Sequence, residues 1–171
     1  SPFEIYEKDI KLLNLDFKNL STDSCPKISF LEIEINHEIA PYQTYLENYF
    51  SKIGNNKTNF FTDVSNYISY EMGQPTHCYD KDLIANDLTF SKHICEDSFK
   101  TIIGNEIMLK GESCVFTSGD EIVNLAGVMG GESTACSTST KKVLVECAYF
   151  NPEEIIGKSI KYNLKSDAAY K

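Results

Sequence analysis

Residues 99–109 read Phe99-Lys100-Thr101-Ile102-Ile103-Gly104-Asn105-Glu106-Ile107-Met108-Leu109. Two short apolar runs, 99–103 and 106–109, flank Gly104-Asn105, a pair that predicts a two-residue hairpin. The same texture continues outward. Residues 88–95 alternate in part, runs 114–117 and 122–125 flank Ser118-Gly119-Asp120-Glu121, and 143–148 is another short apolar strand. Upstream, Ile28, Phe30, Ile33 and Ile35 alternate with Ser29, Glu32 and Glu34, with one misstep at Leu31. That is the period of a half-buried strand. Helical signals sit inside this strand series. Pro41 opens a helix carrying Tyr42, Tyr45, Leu46, Tyr49, Phe50 and Ile53, ended by Gly54-Asn55-Asn56. A second helix spans 63–72, with Val64, Tyr67, Ile68 and Met72 on one side. Gly73 stops it and Gln74-Pro75 forces an extended exit. Asn151-Pro152-Glu153-Glu154 starts a third, with a cap, a first-turn Pro and first-turn acids. Helices embedded in mostly antiparallel strands, without regular alternation, predict an α+β fold.

The chain has 171 residues, and its 16 basic residues are all Lys. With no Arg, it offers no arginine finger, no bidentate guanidinium clamp and no Arg–base fork. The formal net charge of -9 argues against non-specific nucleic-acid binding, which depends on neutralising phosphates. The charge is uneven. Residues 141–171 hold six Lys against four acids, whereas residues 1–140 hold ten Lys against twenty-one. Lys158, Lys161 and Lys165 recur at helical spacing in the basic end, the place predicted for any phosphate contact, although such a stripe is more often a solvated face. A 42% hydrophobic fraction with ten Tyr and ten Phe describes an ordered core. The length suits one domain or two small intertwined ones. Residues 21–27 form the softest boundary. No run approaches a membrane span and residues 1–9 lack an apolar signal core, so a cytoplasmic protein is expected, its six Cys reduced.

The chemical motifs narrow the field mostly by exclusion. His37, His77 and His93 are far apart and no Cys-x-x-Cys pair exists, so no structural metal site is predicted. Residues 127–134 imitate a phosphate loop, but Glu132 stands where Lys is needed. No G-x-S-x-G elbow is present. Asp80 and Asp82 read as caps and turns. Two residues stand out. His77 follows Gly73-Gln74-Pro75 in a predicted loop, where a lone His is more often solvated or capping. Glu146 lies inside the apolar strand 143–148 and, by alternation, faces with Leu144 and Ala148. A carboxylate there must be paired structurally or serve a ligand, and the sequence leaves both open.

Taken in order, Asp63-Val64-Ser65-Asn66-Tyr67, Glu71-Met72-Gly73-Gln74-Pro75-Thr76-His77-Cys78-Tyr79-Asp80, Leu125-Ala126-Gly127-Val128-Met129-Gly130-Gly131-Glu132, Val145-Glu146-Cys147-Ala148-Tyr149-Phe150-Asn151-Pro152 and Ser166-Asp167-Ala168-Ala169-Tyr170 resemble the B3/B4 editing domain of bacterial phenylalanyl-tRNA synthetase β subunits. Cys25-Pro26-Lys27 resembles its start. The resemblance covers residues 25–171, with 1–24 a loosely matched lead-in, and it implies intertwined B3 and B4 modules. It also implies a part of an α2β2 ligase that charges tRNA(Phe), with ATP and Mg2+ belonging to the parent synthetase's α subunit and no cofactor in this domain. Its expected partners are the acceptor end of tRNA(Phe), the α subunit and the remaining β-subunit domains. Its implied activity is hydrolysis of Tyr mistakenly attached to tRNA(Phe).

Residue by residue, the resemblance makes Glu146 the acceptor for the Tyr hydroxyl and gives Gly127 a backbone contact to that hydroxyl. Gly130 keeps the pocket open, and His77 stands near the scissile ester or its water. Ser65 and Asn66 stand at a family Thr-Asn that positions the adenosine end and water. Ser166 stands at a family Thr, and Ala168 at a pocket Ala. Asn56 replaces a usual Arg, with Lys57 beside it as a substitute charge. The competing expectations are a structural module that binds the acceptor end without catalysis and a free-standing hydrolase of small esters.

Overall fold

A computed structural model describes residues 11–54 and 57–164, without the side chains of Cys95 and Ser159. Asn56, Lys165, Ser166, Ala168 and the first ten residues of the lead-in lie outside the described residues. Eight strands among them form two sheets. The larger runs β1-β4-β5-β6-β7, from β1 (Asp16–Asn19), β4 (Asp87–Lys100), β5 (Glu106–Ser118), β6 (Glu121–Leu125) and β7 (Met129–Gly130). The smaller runs β2-β8-β3, from β2 (Lys27–Glu34), β8 (Lys142–Tyr149) and β3 (Thr76–Asp80). Only β1 against β4 is parallel, so the sheets are antiparallel in the main and the fold is α+β. Along the described residues the first strand joins the larger sheet, β2 and β3 join the smaller, the next four return to the larger and β8 joins the smaller again.

The first two helices fill the connection from β2 to β3, within the smaller sheet. In α1 (Thr44–Ile53), Leu46, Tyr49 and Phe50 are buried, and Gly54 ends the helix in the left-handed region, donating to Phe50 O at 3.1 Å. The helix starts three residues later than Pro41 predicts. Gln43 is extended, and the Tyr42 hydroxyl is drawn instead onto buried Asp63 Oδ2 at 2.6 Å. Helix α2 (Phe60–Met72) begins on Asn59, whose side chain accepts from Thr62 N at 3.1 Å, and ends at Gly73 with φ of 67°. Tyr49 packs edge-on against Tyr67 with ring centroids 5.2 Å apart, joining the two helices. Phe61 of α2 packs with Cys78 and Val143 of the smaller sheet.

The stretch 99–109 turns differently from its signal. Lys100 pairs with Glu106, leaving a five-residue loop, residues 101–105. Thr101 is fully buried; its backbone N–H donates to Asn105 O at 2.8 Å and its hydroxyl does so at 3.0 Å. Ile102 N then donates to Gly130 O at 2.8 Å, so the second half of the predicted run leaves the hairpin to meet β7. β4 and β5 are also continuous through residues 96–98 and 110–112, which are exposed and carry no apolar alternation.

The main core lies between the two sheets. Tyr79, Leu144 and Ala148 come from the smaller sheet, and Leu88, Phe90, Phe116 and Val123 from the larger. No helix among the described residues is long and apolar enough to cross a membrane.

Candidate functional site

β8 is the middle strand of its sheet, and its two faces have different neighbours. Val143 and Val145 face α2, whereas Leu144, Glu146 and Ala148 face the larger sheet. Glu146 is therefore delivered, at 4% exposure, into the seam between the sheets. In the register it stands opposite His77 of β3 and Phe30 of β2. His77 and Tyr79 are two residues apart on β3 and so share Glu146's face. His77 thus sits in a strand, not in the loop expected after Pro75.

Glu146 Oε2 accepts from the Tyr79 hydroxyl at 2.6 Å and, more distantly, from Asn124 Nδ2 at 3.4 Å; Asn124 Nδ2 also donates to the Tyr79 oxygen at 2.7 Å. Burial pushes the Glu146 carboxyl up to about 7, against the pull of these two donors. Burial also drives the Tyr79 phenol well above its usual range and lowers the His77 imidazole to about 4, so His77 is neutral near pH 7. His77 Nε2 is buried and has no hydrogen-bond partner among the described residues. Its ring lies edge-on to Tyr79, centroids 4.4 Å apart.

These groups border a cavity of about 530 Å³, within the roughly 300–1,000 Å³ of small-ligand sites. One wall is the segment 73–77 entering β3. A second is the β6–β7 turn, with Asn124, Gly127 and Gly130. The end of β8 and helix α3 (Pro152–Ile155) close it with Ala148, Phe150 and Ile155. Gly127 makes the turn at φ of 68°, and a Cβ there would stand 3.0 Å from Ile155 Cδ1. A Cβ on Gly130 would stand 2.3 Å from His77 Cε1. Among the described residues, no group of three or more His, Cys, Asp and Glu gathers as a metal site.

The structure thus brings together His77, Glu146, Gly127 and Gly130. Ser65 and Asn66 are elsewhere. The Ser65 hydroxyl lies behind the cavity wall, donating to Thr76 O at 3.0 Å and lying 2.7 Å from Thr76 Oγ1, and neither residue lines the cavity. Lys158 and Lys161 form α4 (Lys158–Lys161), and their ammonium groups are laid on β5: Lys158 donates to Glu112 O at 2.6 Å and Lys161 to Lys110 O. Lys57 is held by Glu47 at 2.8 Å. Asp80 caps a turn as expected, accepting from Asp82 N at 3.1 Å. Cys25, Cys78, Cys114, Cys136 and Cys147 are free thiols.

A family model described as the B3/4 domain matches residues 24–171. The chain belongs to the B3/4 domain family. This B3/4 domain is 31% identical over 157 residues to the phenylalanine–tRNA ligase beta subunit of Burkholderia pseudomallei (strain 1710b), covering 92% of this chain and 19% of that protein. It is 30% identical over 158 residues to the same subunit of Bartonella quintana, with 91% of this chain and 19% of the relative covered. The chain therefore spans about a fifth of the length of the curated relatives it matches. Its fold is similar to an N-terminal fragment of the phenylalanyl-tRNA synthetase beta subunit from Pyrococcus horikoshii, with a TM-score of 0.60 at 12% identity over 85% of this chain and 46% of that one. The B3/4 family is the one that the ordered motifs of the sequence resemble.

Two residues of the B3/4 domain site escaped the sequence reading. Asn124 is 3% exposed, a polar residue between Val123 and Leu125 in an apolar strand, the same signal that singled out Glu146. Tyr79 had no such signal, since a buried Tyr is ordinary core until its hydroxyl partner is known.

Proposed function

We propose that this domain is the editing site of a phenylalanine–tRNA ligase β subunit, hydrolysing Tyr from mischarged tRNA(Phe). The observation that carries the reading is Glu146, a buried carboxylate on the cavity wall, with donors on Oε2 and, among the described residues, no partner on Oε1. A phenol entering the cavity supplies the missing donor. Phe fills the same space and leaves a desolvated oxygen unpaired, which costs about 1–3 kcal/mol. A synthetic site cannot strongly reject an analogue that merely adds a hydroxyl, and a second site built around an acceptor reverses that preference.

In this reading water attacks the ester carbonyl and the acyl–oxygen bond breaks. The departing ribose oxygen takes a proton, releasing tyrosine and tRNA. Neutral His77, packed against Gly130, orients the water or the ester, and the neighbouring ribose hydroxyl assists. The chain uses no cofactor of its own; ATP and Mg2+ serve the parent enzyme's α subunit. The setting is the cytoplasm, with tRNA(Phe), the α subunit and the remaining β-subunit domains as partners.

Deacylation of Tyr-tRNA(Phe) by the full-length protein, assembled with its α subunit, tests this. Loss of activity in His77→Ala and Glu146→Ala is expected; two variants as active as wild type would remove the site assignment. A second reading, an acceptor-end-binding module without catalysis, draws on Lys57, whose charge is satisfied by Glu47, and on Ser65, whose hydroxyl is committed to Thr76. Wild-type protein that aminoacylates normally and leaves Tyr-tRNA(Phe) intact would favour it.

A further inference from the structure

Tyr79 has no exposed surface and does not line the cavity, yet its hydroxyl is committed to a carboxylate that does, that of Glu146. It donates to Glu146 Oε2 at 2.6 Å while accepting from Asn124 Nδ2 at 2.7 Å. The amide, phenol and carboxylate form a chain in which each hydrogen bond polarises the next. The phenol meets Glu146 from the core side, opposite to any occupant of the cavity.

We propose that Tyr79 is a positioning residue for aminoacyl selection: with Asn124 it pins Glu146 Oε2 from behind, fixing the carboxylate plane and leaving Oε1 as the single acceptor offered to a ligand's hydroxyl. The proposal rests on the phenol-reading role given to Glu146 above. Without the pin the carboxylate could turn in the seam, and either oxygen or neither would face the ligand.

The pin also holds the charge. Around Glu146 stand neutral His77 from β3, Phe30 from β2, Asn124 from β6, and the Cys25 and Cys78 thiols, both pushed up to about 11 by burial. None of these carries a charge at neutral pH, so the Tyr79 and Asn124 donors are what offset burial of the carboxylate. Removing the Tyr79 hydroxyl favours the protonated carboxyl, which no longer offers a charged acceptor and penalises Phe less.

The test is Tyr79→Phe in the full-length protein, a change that keeps the ring and its packing. The ratio of Tyr-tRNA(Phe) to Phe-tRNA(Phe) deacylation is expected to fall roughly tenfold or more. The limb of the pH profile that follows Glu146 ionisation should move to higher pH. Asn124→Ser should shift both in the same direction by less, and it carries the test if Tyr79→Phe does not fold. The infrared carboxyl band of Glu146, identified by its loss in Glu146→Gln, reads the same titration without turnover. A folded Tyr79→Phe protein with unchanged ratio and unchanged band midpoint overturns this inference while leaving the editing reading intact. Wild-type protein that does not prefer Tyr-tRNA(Phe) overturns both.

Discussion

The imidazole of His77 turns its Cε1 edge toward the backbone of Gly130, so close that a methyl group there would stand 2.3 Å from Cε1. β3 and β7 belong to different sheets, and this contact is where the two sheets meet at the cavity. Because Gly130 carries no side chain, His77 can keep its ring inside the seam.

Gly130→Ala is accordingly expected to displace the imidazole and narrow the cavity, at about 1–3 kcal/mol of stability, the usual cost of overpacking. Deacylation should fall further than the stability loss explains. Denaturation midpoints measured beside single-turnover rates separate the two; a fully active, equally stable variant would contradict the contact.

Glu146→Gln is expected to change how stability depends on pH. Burial raises the carboxyl from 4.5 to about 7, so its contribution is fully present below pH 4.5 and lost as pH rises through 7. At about 1.4 kcal/mol per unit, the Gln variant should gain about 3 kcal/mol on wild type at pH 8 and nothing at pH 4. His77 runs the other way: its lowered value gives stability present above pH 6.5 and lost as pH falls through 4. Urea midpoints at pH 4, 6 and 8 should show the variant losing stability more steeply on acidification than wild type.

Ser65→Ala is expected to cost about 1–2 kcal/mol, because the hydroxyl ties α2 to Thr76 at 3.0 Å from inside the protein. Any rate loss should vanish in Ser65→Thr, which restores the hydroxyl. A large rate loss with unchanged stability would instead put Ser65 at the reacting ester.

Lys158→Ala with Lys161→Ala tests the basic end. If these ammonium groups reach tRNA phosphates, the slope of log affinity against log salt should fall by about 0.7–0.9 per lysine. An unchanged slope, with α4 loosened from β5, would make them straps on the Glu112 and Lys110 carbonyls alone.

How much of this was readable beforehand varies by element. Both helix ends at Gly54 and Gly73 followed from the need for a left-handed residue, which is local. Pro41 misled because Tyr42 was claimed by Asp63, a residue 21 positions away. The hairpin at Gly104-Asn105 misled for the same reason, since Thr101 and Ile102 are held by Asn105 and Gly130. Continuous pairing through 96–98 was invisible because an exposed ladder needs no apolar alternation.

At the site, alternation alone put Glu146 on the Leu144 and Ala148 face, and a carboxylate on an apolar face marks itself as costly wherever the strand goes. The family followed from ordered motifs, which are a property of the chain. What only the tertiary structure decided is who meets Glu146. His77 lies 69 positions away in β3, and Tyr79 and Asn124 join through strands of two different sheets. It also decided that Ser65 faces Thr76 and that Lys57 faces Glu47. Periodicity fixes which face a side chain takes, because that is set by backbone geometry within a few residues. Partnership is set by how the faces are stacked, and that depends on the whole chain folding at once.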